Sequence, residues 1–252
     1  MSTAAPGPGP LLRVEGVTKR FGGFVALDGV DLQVGAGERV GLIGPNGSGK
    51  STLVNCITGT LRNEGGRITF NGEDVTGMPA HRRTRRGLAR SFQIPKPFTS
   101  MSVLDNLRIP LLYAAGAQAG ARRISERESG DQAMEILVSV GLGGKAHEMS
   151  GGLTQVDMRK LELARAISRR GRAAIADEAM AGLSSSEVDD ILQLLASMKE
   201  RGIAVVMIEH IMRAVMRFSE RVAVLVAGRK IVDGDPAMVI AHPEVQKAYL
   251  GE

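Results

Sequence analysis

Short apolar runs near both ends of this 252-residue chain flank a middle segment with helical spacing. The runs predict strands at residues 11–17, 25–34, 39–43, 66–70, 173–176, 203–208, 222–226 and 230–232. Between about 95 and 167, apolar residues recur three or four positions apart, as at Ala133, Ile136, Leu137 and Val140, which is typical of helices. Strands that alternate with helices predict a parallel sheet covered on both faces.

The pattern divides the chain into three parts and predicts an α/β fold with a helical insertion. Residues 1–10 are rich in alanine, proline and glycine and predict a flexible tail. Residues 11–94 and 168–252 form the expected α/β core with a β subdomain. Residues 95–167 form the expected helical subdomain.

Composition limits the disulfide content and the expected location of the protein, but it does not identify a ligand. The single cysteine, Cys56, excludes an internal disulfide, and we expect it to be a small buried residue. Without a secretory signal or a run of 18 apolar residues, we expect a soluble, cytoplasmic protein that can still be peripheral to a membrane. The net charge of +5 suits nucleic acid, an anionic membrane or a phosphate ligand equally. The basic run at 81–86 could meet anionic headgroups or an acidic partner, but a solvated helix face is the favoured interpretation.

A glycine-rich turn separates the run at residues 39–43 from a predicted helix at about 50–58. It matches the phosphate-loop pattern G-x-x-x-x-G-K-[ST], with Gly44, Gly49, Lys50 and Ser51 at the defining positions. Its backbone N–H groups can surround phosphate oxygens, Lys50 can reach the β- and γ-phosphates, and the Ser51 hydroxyl can ligate Mg²⁺. The candidate ATP-binding residues of this segment are Gly44, Pro45, Asn46, Gly47, Ser48, Gly49, Lys50, Ser51 and Thr52.

Two acidic residues end the apolar run at 173–176. Asp177 can hold Mg²⁺ through its water shell, and Glu178 can polarise an attacking water. A charged loop after a strand is the alternative, which the phosphate loop upstream disfavours. Gln93 lies where the strand-rich part meets the helical part, and His210 follows the run at 203–208. Each of these two residues is a weak indication by itself.

Together these residues resemble the ATP-binding subunit of ABC transporters, over residues 12–252. The resemblance implies a RecA-like P-loop ATPase core with an antiparallel β subdomain and an inserted helical subdomain. It also implies ATP and Mg²⁺ as cofactors. The phosphate loop looks like the Walker A motif and Asp177 like the Walker B aspartate. Glu178 looks like the catalytic glutamate, Gln93 like the Q-loop glutamine and His210 like the switch histidine.

The resemblance also implies where the metal and the adenine bind. Ser51, Gln93 and Asp177 are the implied metal ligands. Phe21 looks like the aromatic residue that stacks on adenine, although Phe24 is close by and either residue could be core.

A narrower resemblance is to the branched-chain amino acid uptake group, to the larger of its two ATPase subunits. The segments at 89–93, 98–107, 177–183, 208–210 and 248–252 carry it. It implies a second ABC ATPase subunit of a different chain, two transmembrane permeases and an extracytoplasmic solute-binding protein, without nucleic acid. It places the chain on the cytoplasmic side of the inner membrane. Urea, amides and aromatic acids are alternative cargoes within this group.

The ABC signature motif, Leu-Ser-Gly-Gly-Gln, has two possible registers in this chain. Asp177 lies 24 positions after Leu153 and 28 after Met149, and the resemblance implies about 24. Residues 150–152 then precede the motif as a turn. The signature residues facing a partner's ATP are Leu153, Thr154, Gln155, Val156 and Asp157.

On this register the motif departs from the family pattern. Val156 replaces a glycine, and we expect Asp157 to place a negative charge near ATP. In the D-loop, Ser184 stands where the family usually has aspartate. We therefore expect an asymmetric pair, in which this chain's ATP site is completed by a partner and the reciprocal site is slow or silent.

Three other functions remain open at this point. They are a soluble ABC-type ATPase that is not coupled to transport, a non-hydrolysing regulatory subunit that binds ATP, and a P-loop small-molecule kinase. The kinase would lack the set formed by Gln93, Glu178 and His210.

Overall fold

The computed structural model describes residues 9–91, 97–115, 124–168 and 171–250. Within these ranges the strands are β1 Leu12–Phe21, β2 Phe24–Val34, β3 Arg39–Ile43, β4 Gly65–Phe70, β5 Glu73–Asp74, β6 Leu88–Ser91, β7 Ala173–Asp177, β8 Ala204–Ile208, β9 Arg221–Val226 and β10 Arg229–Gly234. The helices are α1 Lys50–Thr58, α2 Ala80–Arg85, α3 Val103–Ala115, α4 Glu126–Ser139, α5 Gln155–Ser168, α6 Ser185–Glu200, α7 Met212–Phe218, α8 Pro236–Ile240 and α9 Pro243–Leu250.

The strands form two sheets, which confirms the predicted α/β class. One sheet has four antiparallel strands in the order β2-β1-β4-β5. The other has six strands in the order β10-β9-β3-β8-β7-β6, in which β10 alone is antiparallel to its neighbour. Because β3, β7 and β8 are adjacent and parallel, their carboxyl ends lie along one edge of the sheet.

The six-stranded sheet is buried on both faces, and its side chains alternate between two apolar clusters. In β8, Val205 and Met207 belong to the cluster that contains the helical segment, whereas Ala204, Val206 and Ile208 belong to the cluster that contains α1 and the antiparallel sheet. Burial of each large aliphatic side chain contributes about 1.5–3 kcal/mol. This alternation fixes the strand register, and with it the positions of the residues that follow each strand.

The helices α3, α4 and α5 pack together on the first face of this sheet. The helical spacing predicted at Ala133, Ile136, Leu137 and Val140 is confirmed, since all four residues are buried. A capping box, in which Ser125 and Glu128 exchange hydrogen bonds, begins α4. The predicted division at residues 94–95 and 167–168 stays a prediction, as does the flexible tail, most of which lies outside the described residues.

One strand of the sheet, β6, is not predicted by the apolar pattern. It is four residues long and carries Arg90, so neither length nor alternation identifies it. The predicted burial of Cys56 is confirmed, and burial raises the pKa of its thiol to about 11. In the part of the chain that the structure describes, every helix is too short or too polar to cross a membrane.

Candidate nucleotide-binding and hydrolysis site

The phosphate loop lies between the end of β3 and the start of α1, at the carboxyl edge of the six-stranded sheet. Its glycines are required by close backbone approaches. A Cβ atom on Gly44 would lie 2.0 Å from the carbonyl oxygen of Leu225, and one on Gly49 would lie 2.5 Å from that of Ala26. Gly49 also has φ of 104°, which side chains disfavour. The loop is therefore held against two strands in one conformation, with the N-terminus of α1 behind it.

Lys50 is folded back into this loop. Its Nζ atom donates to the carbonyl oxygens of Gly44 at 2.7 Å and Pro45 at 3.0 Å. Burial lowers the pKa of Lys50, although the charges of Glu178 and Asp177 act in the opposite direction. Beside it, the buried Ser48 hydroxyl has no hydrogen-bond partner among the described residues. An ammonium group and an unsatisfied donor inside a loop of backbone N–H groups fit the phosphates of a nucleotide.

Asp177 ends β7 and is held by a neighbouring strand. Its Oδ2 atom accepts a hydrogen bond of 2.6 Å from Arg90 on β6, whose guanidinium also donates to Asn55 at 2.7 Å. Arg90 engages Oδ2, and no bond to Oδ1 occurs among the contacts of Asp177 with the described residues. The hydroxyl of Ser51 is exposed at the first turn of α1, so the oxygen donors present suit Mg²⁺, which keeps several waters and substrate phosphates as ligands.

Glu178 and His210 follow adjacent parallel strands, and the structure brings them together. Oε1 of Glu178 lies 3.1 Å from Nε2 of His210, and the backbone N–H of Glu178 donates to the carbonyl of Ile208 at 2.9 Å. Glu178 has a φ of 48°, which is unusual for a residue with a side chain. This backbone turn directs a carboxylate from the end of β7 towards the histidine that follows β8.

One cleft of about 250 Å³ collects most of the predicted site residues. Phe21 and Phe24 face each other across the β1–β2 hairpin, and both are at least half exposed at its edge. Lys19 lies over the Phe21 ring with Nζ 5.4 Å from its centroid. The residues lining the cleft are Phe21, Phe24, Ala26, Asn46, Gly47, Ser48, Gly49, Lys50, Ser51, Thr52, Glu178 and His210.

Gln93 lies outside the described residues, so its predicted place beside the metal stays a prediction. The strand that precedes it, β6, pairs with β7 and ends at Ser91, opposite Ala176. Gly44 and Pro45 contribute their carbonyls to Lys50 rather than lining the cleft.

Three residues that the sequence pattern did not single out contact this site. Arg90 donates to Asp177, and β6, the strand that carries Arg90, was not predicted. Glu209 is buried, and its Oε1 accepts from the N–H of Met180 at 2.9 Å; burial raises the pKa of its carboxyl group. Burial raises the pKa of the Tyr249 hydroxyl on α9, and the backbone of Gly44 acts in the opposite direction. Asp177 was identified as an acidic residue at the end of a core strand. The same signal could have identified Glu209, which directly follows β8.

The signature segment lies at the start of α5 and is satisfied internally. The Thr154 hydroxyl donates to Oδ2 of Asp157 at 2.8 Å and accepts from the backbone N–H of Asp157 at 3.2 Å, which caps the helix. Lys145 forms an ion pair with the same carboxylate at 2.5 Å. Val156 packs against the helical apolar cluster. Residues 150–152 form a short 3₁₀ turn before the segment.

The structure changes the expectation for Asp157 and gives Ser184 a structural role. We expected Asp157 to present its negative charge to ATP, but the carboxylate is largely buried and paired with Lys145. Partial burial favours a higher pKa for Asp157, but the hydrogen bonds from Lys145 and Thr154 outweigh it and lower the pKa. Ser184, which stands where the family usually has aspartate, is the N-cap of α6 and shares a capping box with Glu187.

Comparisons with known proteins assign the chain to a family. The ABC transporter family model matches residues 27–181, and a model described as branched-chain amino acid ATP-binding cassette transporter matches residues 229–252. The chain therefore belongs to the ABC transporter family of ATP-binding proteins. As a member it is an ATPase that binds nucleotide, which excludes the small-molecule kinase.

Individual relatives cover nearly the whole chain. The high-affinity branched-chain amino acid transport ATP-binding protein BraF of Pseudomonas aeruginosa is 39% identical over 96% of this chain and 98% of its own length. LivG of Escherichia coli K12, which has the same description, is 34% identical with the same coverage. An ATP-binding cassette of an ABC transporter, solved in its ADP conformation, has a TM-score of 0.85 at 31% identity and covers 96% of this chain and 99% of its own.

Proposed function

We propose that this chain is the ATP-hydrolysing subunit of an ABC importer for branched-chain amino acids. The observation that carries this proposal is the match of residues 229–252 to a model specific to such transporters, together with 39% identity to BraF over 96% of the chain. A related small polar or aromatic solute is the alternative cargo, because cargo choice lies in the partner subunits.

In the proposed reaction, the phosphate loop binds the ATP phosphates. Lys50 exchanges the carbonyls of Gly44 and Pro45 for the β- and γ-phosphates, and Ser48 gains a partner for its buried hydroxyl. Ser51, Asp177 and Gln93 would hold Mg²⁺, which would supply positive charge beside the phosphates. Phe21 or Phe24 stacks on the adenine at the exposed edge of the cleft.

Glu178 is the proposed base for the attacking water. Glu178 lines the same cleft as Lys50, and the 3.1 Å contact with His210 orients its carboxylate. The proton of the water passes to Glu178 while the phosphate loop holds the γ-phosphate. Arg90 positions Asp177 through its bond to Oδ2.

The proposed assembly is an asymmetric pair of ATPase subunits. This chain supplies a complete phosphate loop and acidic pair, whereas its signature segment has Val156 in place of glycine and a hydroxyl, Thr154, already engaged by Asp157. A different partner chain with an intact signature completes the site on this chain. Two permeases contact the groove near Gln93 and the helical segment, and an extracytoplasmic binding protein delivers the solute. The pair is peripheral to the cytoplasmic face of the inner membrane.

Reconstitution tests this function. The chain, its partner ATPase, the two permeases and the binding protein are placed in proteoliposomes, and ATP-dependent uptake of labelled leucine, urea and phenylalanine is measured. We expect leucine uptake that Lys50→Ala abolishes. Uptake of urea or phenylalanine alone would refute the cargo. Full uptake with Glu178→Gln would instead favour a non-hydrolysing regulatory subunit, and ATPase activity in a chain that recruits no permease would favour the soluble ATPase.

A further inference from the structure

The basic run at 81–86 is not one surface, because its arginines have different environments. Arg83 is buried and donates to four backbone carbonyls, those of Met78, Cys56, Ile57 and Thr76, at 2.7–2.9 Å. Two of these acceptors belong to the last turn of α1, so Arg83 caps that helix. Its role is structural, whereas the remaining arginines of the run, Arg82, Arg85 and Arg86, are exposed.

The exposed arginines line a cavity of about 560 Å³ outside the nucleotide cleft. A fourth arginine, Arg172, reaches the same cavity from the residue before β7. Among the lining residues there is one carboxylate, that of Glu73. The lining residues are Phe70, Asn71, Glu73, Arg82, Arg85, Arg86 and Arg172.

Two of these guanidinium groups are held in place, one by an ion pair and the other by a hydrogen bond to a neutral side chain. Arg86 forms a two-point ion pair with Glu73, with Nε–Oε2 2.5 Å and Nη2–Oε1 2.7 Å. Arg172 donates to the side-chain oxygen of Asn71 at 2.9 Å, and its backbone N–H bonds to Gly87. Within the part of the chain that the structure describes, no carboxylate lies within 4 Å of the Arg82 guanidinium. The cavity therefore carries an excess of positive charge on a fixed frame.

The cavity and the nucleotide cleft lie at opposite ends of the same strands. Arg172 precedes β7 and Asp177 ends it, so the five-residue strand separates them by about 15 Å. The two positive regions consequently do not compete for one ligand. Helix α2 ends at this cavity, and basic residues commonly stabilise the carboxyl end of a helix. Arg172 belongs to no helix, so this stabilisation does not explain why Arg172 lines the cavity.

We propose that this arginine cavity is a second anion site, which binds the phosphate group of a small phosphate ester. Planar guanidinium groups from two parts of the chain suit the several oxygens of a phosphate, which can accept paired hydrogen bonds from them. The volume lies in the range of small-ligand sites. The phosphate can come from a free metabolite or from the headgroup of an anionic lipid, and both sources present the same chemistry.

The test uses the full chain with its phosphate loop filled by a non-hydrolysable ATP analogue and Mg²⁺, so that the γ-phosphate position is occupied and added phosphate cannot enter the nucleotide cleft. Glycerol 3-phosphate is titrated by calorimetry, and sedimentation measures binding to vesicles of phosphatidylglycerol, with phosphatidylcholine vesicles as reference. The pocket variant is Arg82→Gln with Arg85→Gln. The control variant, Arg127→Gln with Arg201→Gln, removes the same charge from exposed positions outside the cavity.

We expect wild type and control to bind at least one probe equally well, and the pocket variant to bind it about tenfold more weakly. Binding of glycerol 3-phosphate alone identifies a free ester as the source, and binding of phosphatidylglycerol alone identifies the lipid. Failure of wild type to bind either probe, or equal weakening in both variants, overturns the site. Where thermal melting shows that the pocket variant is unfolded, Arg172→Gln replaces it with the same expected direction.

Discussion

The phosphate loop and the signature segment both lie at the start of a helix, yet the polar side chains of the loop are available for a ligand and those of the segment are already paired. In the loop, Ser48 has an unsatisfied hydroxyl and Lys50 is bound only to carbonyls that a phosphate can replace. In the signature segment, Thr154, Asp157 and Lys145 are already bonded to one another. A site that receives phosphate keeps its donors available, whereas a segment that has paired its donors must break those bonds first.

The difference between the phosphate loop and the signature segment supports the proposal that the two ATP sites of the pair are unequal. In the proposed assembly, the chain's own ATP site takes its signature segment from another chain. The signature that it offers in return is neutralised by an internal ion pair and lacks the glycine that allows close approach. Four experiments can break or sharpen this comparison, and they follow from the largest expected effect to the smallest.

The largest effect should come from Glu178→Gln in the reconstituted pair. Loss of the proposed base should lower turnover by about 10²–10⁴-fold, and the equivalent change in the partner should have little effect. Steady-state phosphate release measures both. Glu200→Gln is the matched control, because it makes the same change at an exposed position at the end of α6. Intact turnover with Glu178→Gln, and loss with the partner's change, would reverse the assignment of the working site.

Lys50→Ala should weaken nucleotide binding by roughly 10–100-fold, because a charge-assisted contact with the phosphates is lost. Calorimetry with a non-hydrolysable ATP analogue measures this. Lys199→Ala removes a lysine whose ion pair with Glu220 is exposed, and it should leave affinity unchanged. Equal affinities in all three proteins would mean that the phosphates bind elsewhere.

Repair of the signature should raise turnover of the pair roughly twofold, since a second site then contributes. The variant is Val156→Gly with Asp157→Gln, and the same assay reports it. A sharper version adds Glu178→Gln, which inactivates this chain's own ATP site. Turnover that reappears in this background must come from the ATP site on the partner chain, which the repaired signature segment completes. If the repaired segment changes neither rate, the altered signature is not what silences that site.

The smallest effect concerns stability and pH. The pKa of Asp157 is lowered in the folded protein, so the stabilisation is complete above the ordinary pKa near 3.8 and is lost as the pH falls through the lower folded value. Asp157→Asn should therefore lower the melting temperature by about 1–3 °C at pH 7. The gap to wild type should shrink as the pH falls from about 5 towards 3.

Thermal melting across this range measures the gap. Asp131→Asn, at an exposed position on α4, should melt with wild type throughout. A gap that is constant with pH would show that the carboxylate charge is not responsible.

Local chemistry could be predicted from the sequence, and contacts between distant segments could not. The phosphate loop is a contiguous pattern, and the meeting of Glu178 with His210 follows once β7 and β8 are parallel neighbours. The bond between Arg90 and Asp177 depends on β6, which is too short for its periodicity to be seen. The pairing of Lys145 with Asp157 depends on how the 3₁₀ turns before α5 fold. For that reason the charge of Asp157 was predicted but its neutralisation was not.

Arg83 also has a mechanical consequence. Its guanidinium joins the last turn of α1 to the segment at 76–78 and to its own helix, α2. The first turn of α1 carries Lys50 and Ser51, so a helix of nine residues spans the distance between the phosphate loop and this clamp. These bonds couple the far end of α1 to α2, and we expect a shift of α1 on phosphate binding or release to move α2 with it. Helix α1 thus links the proposed phosphate-binding residues at one end to α2 at the other, through Arg83.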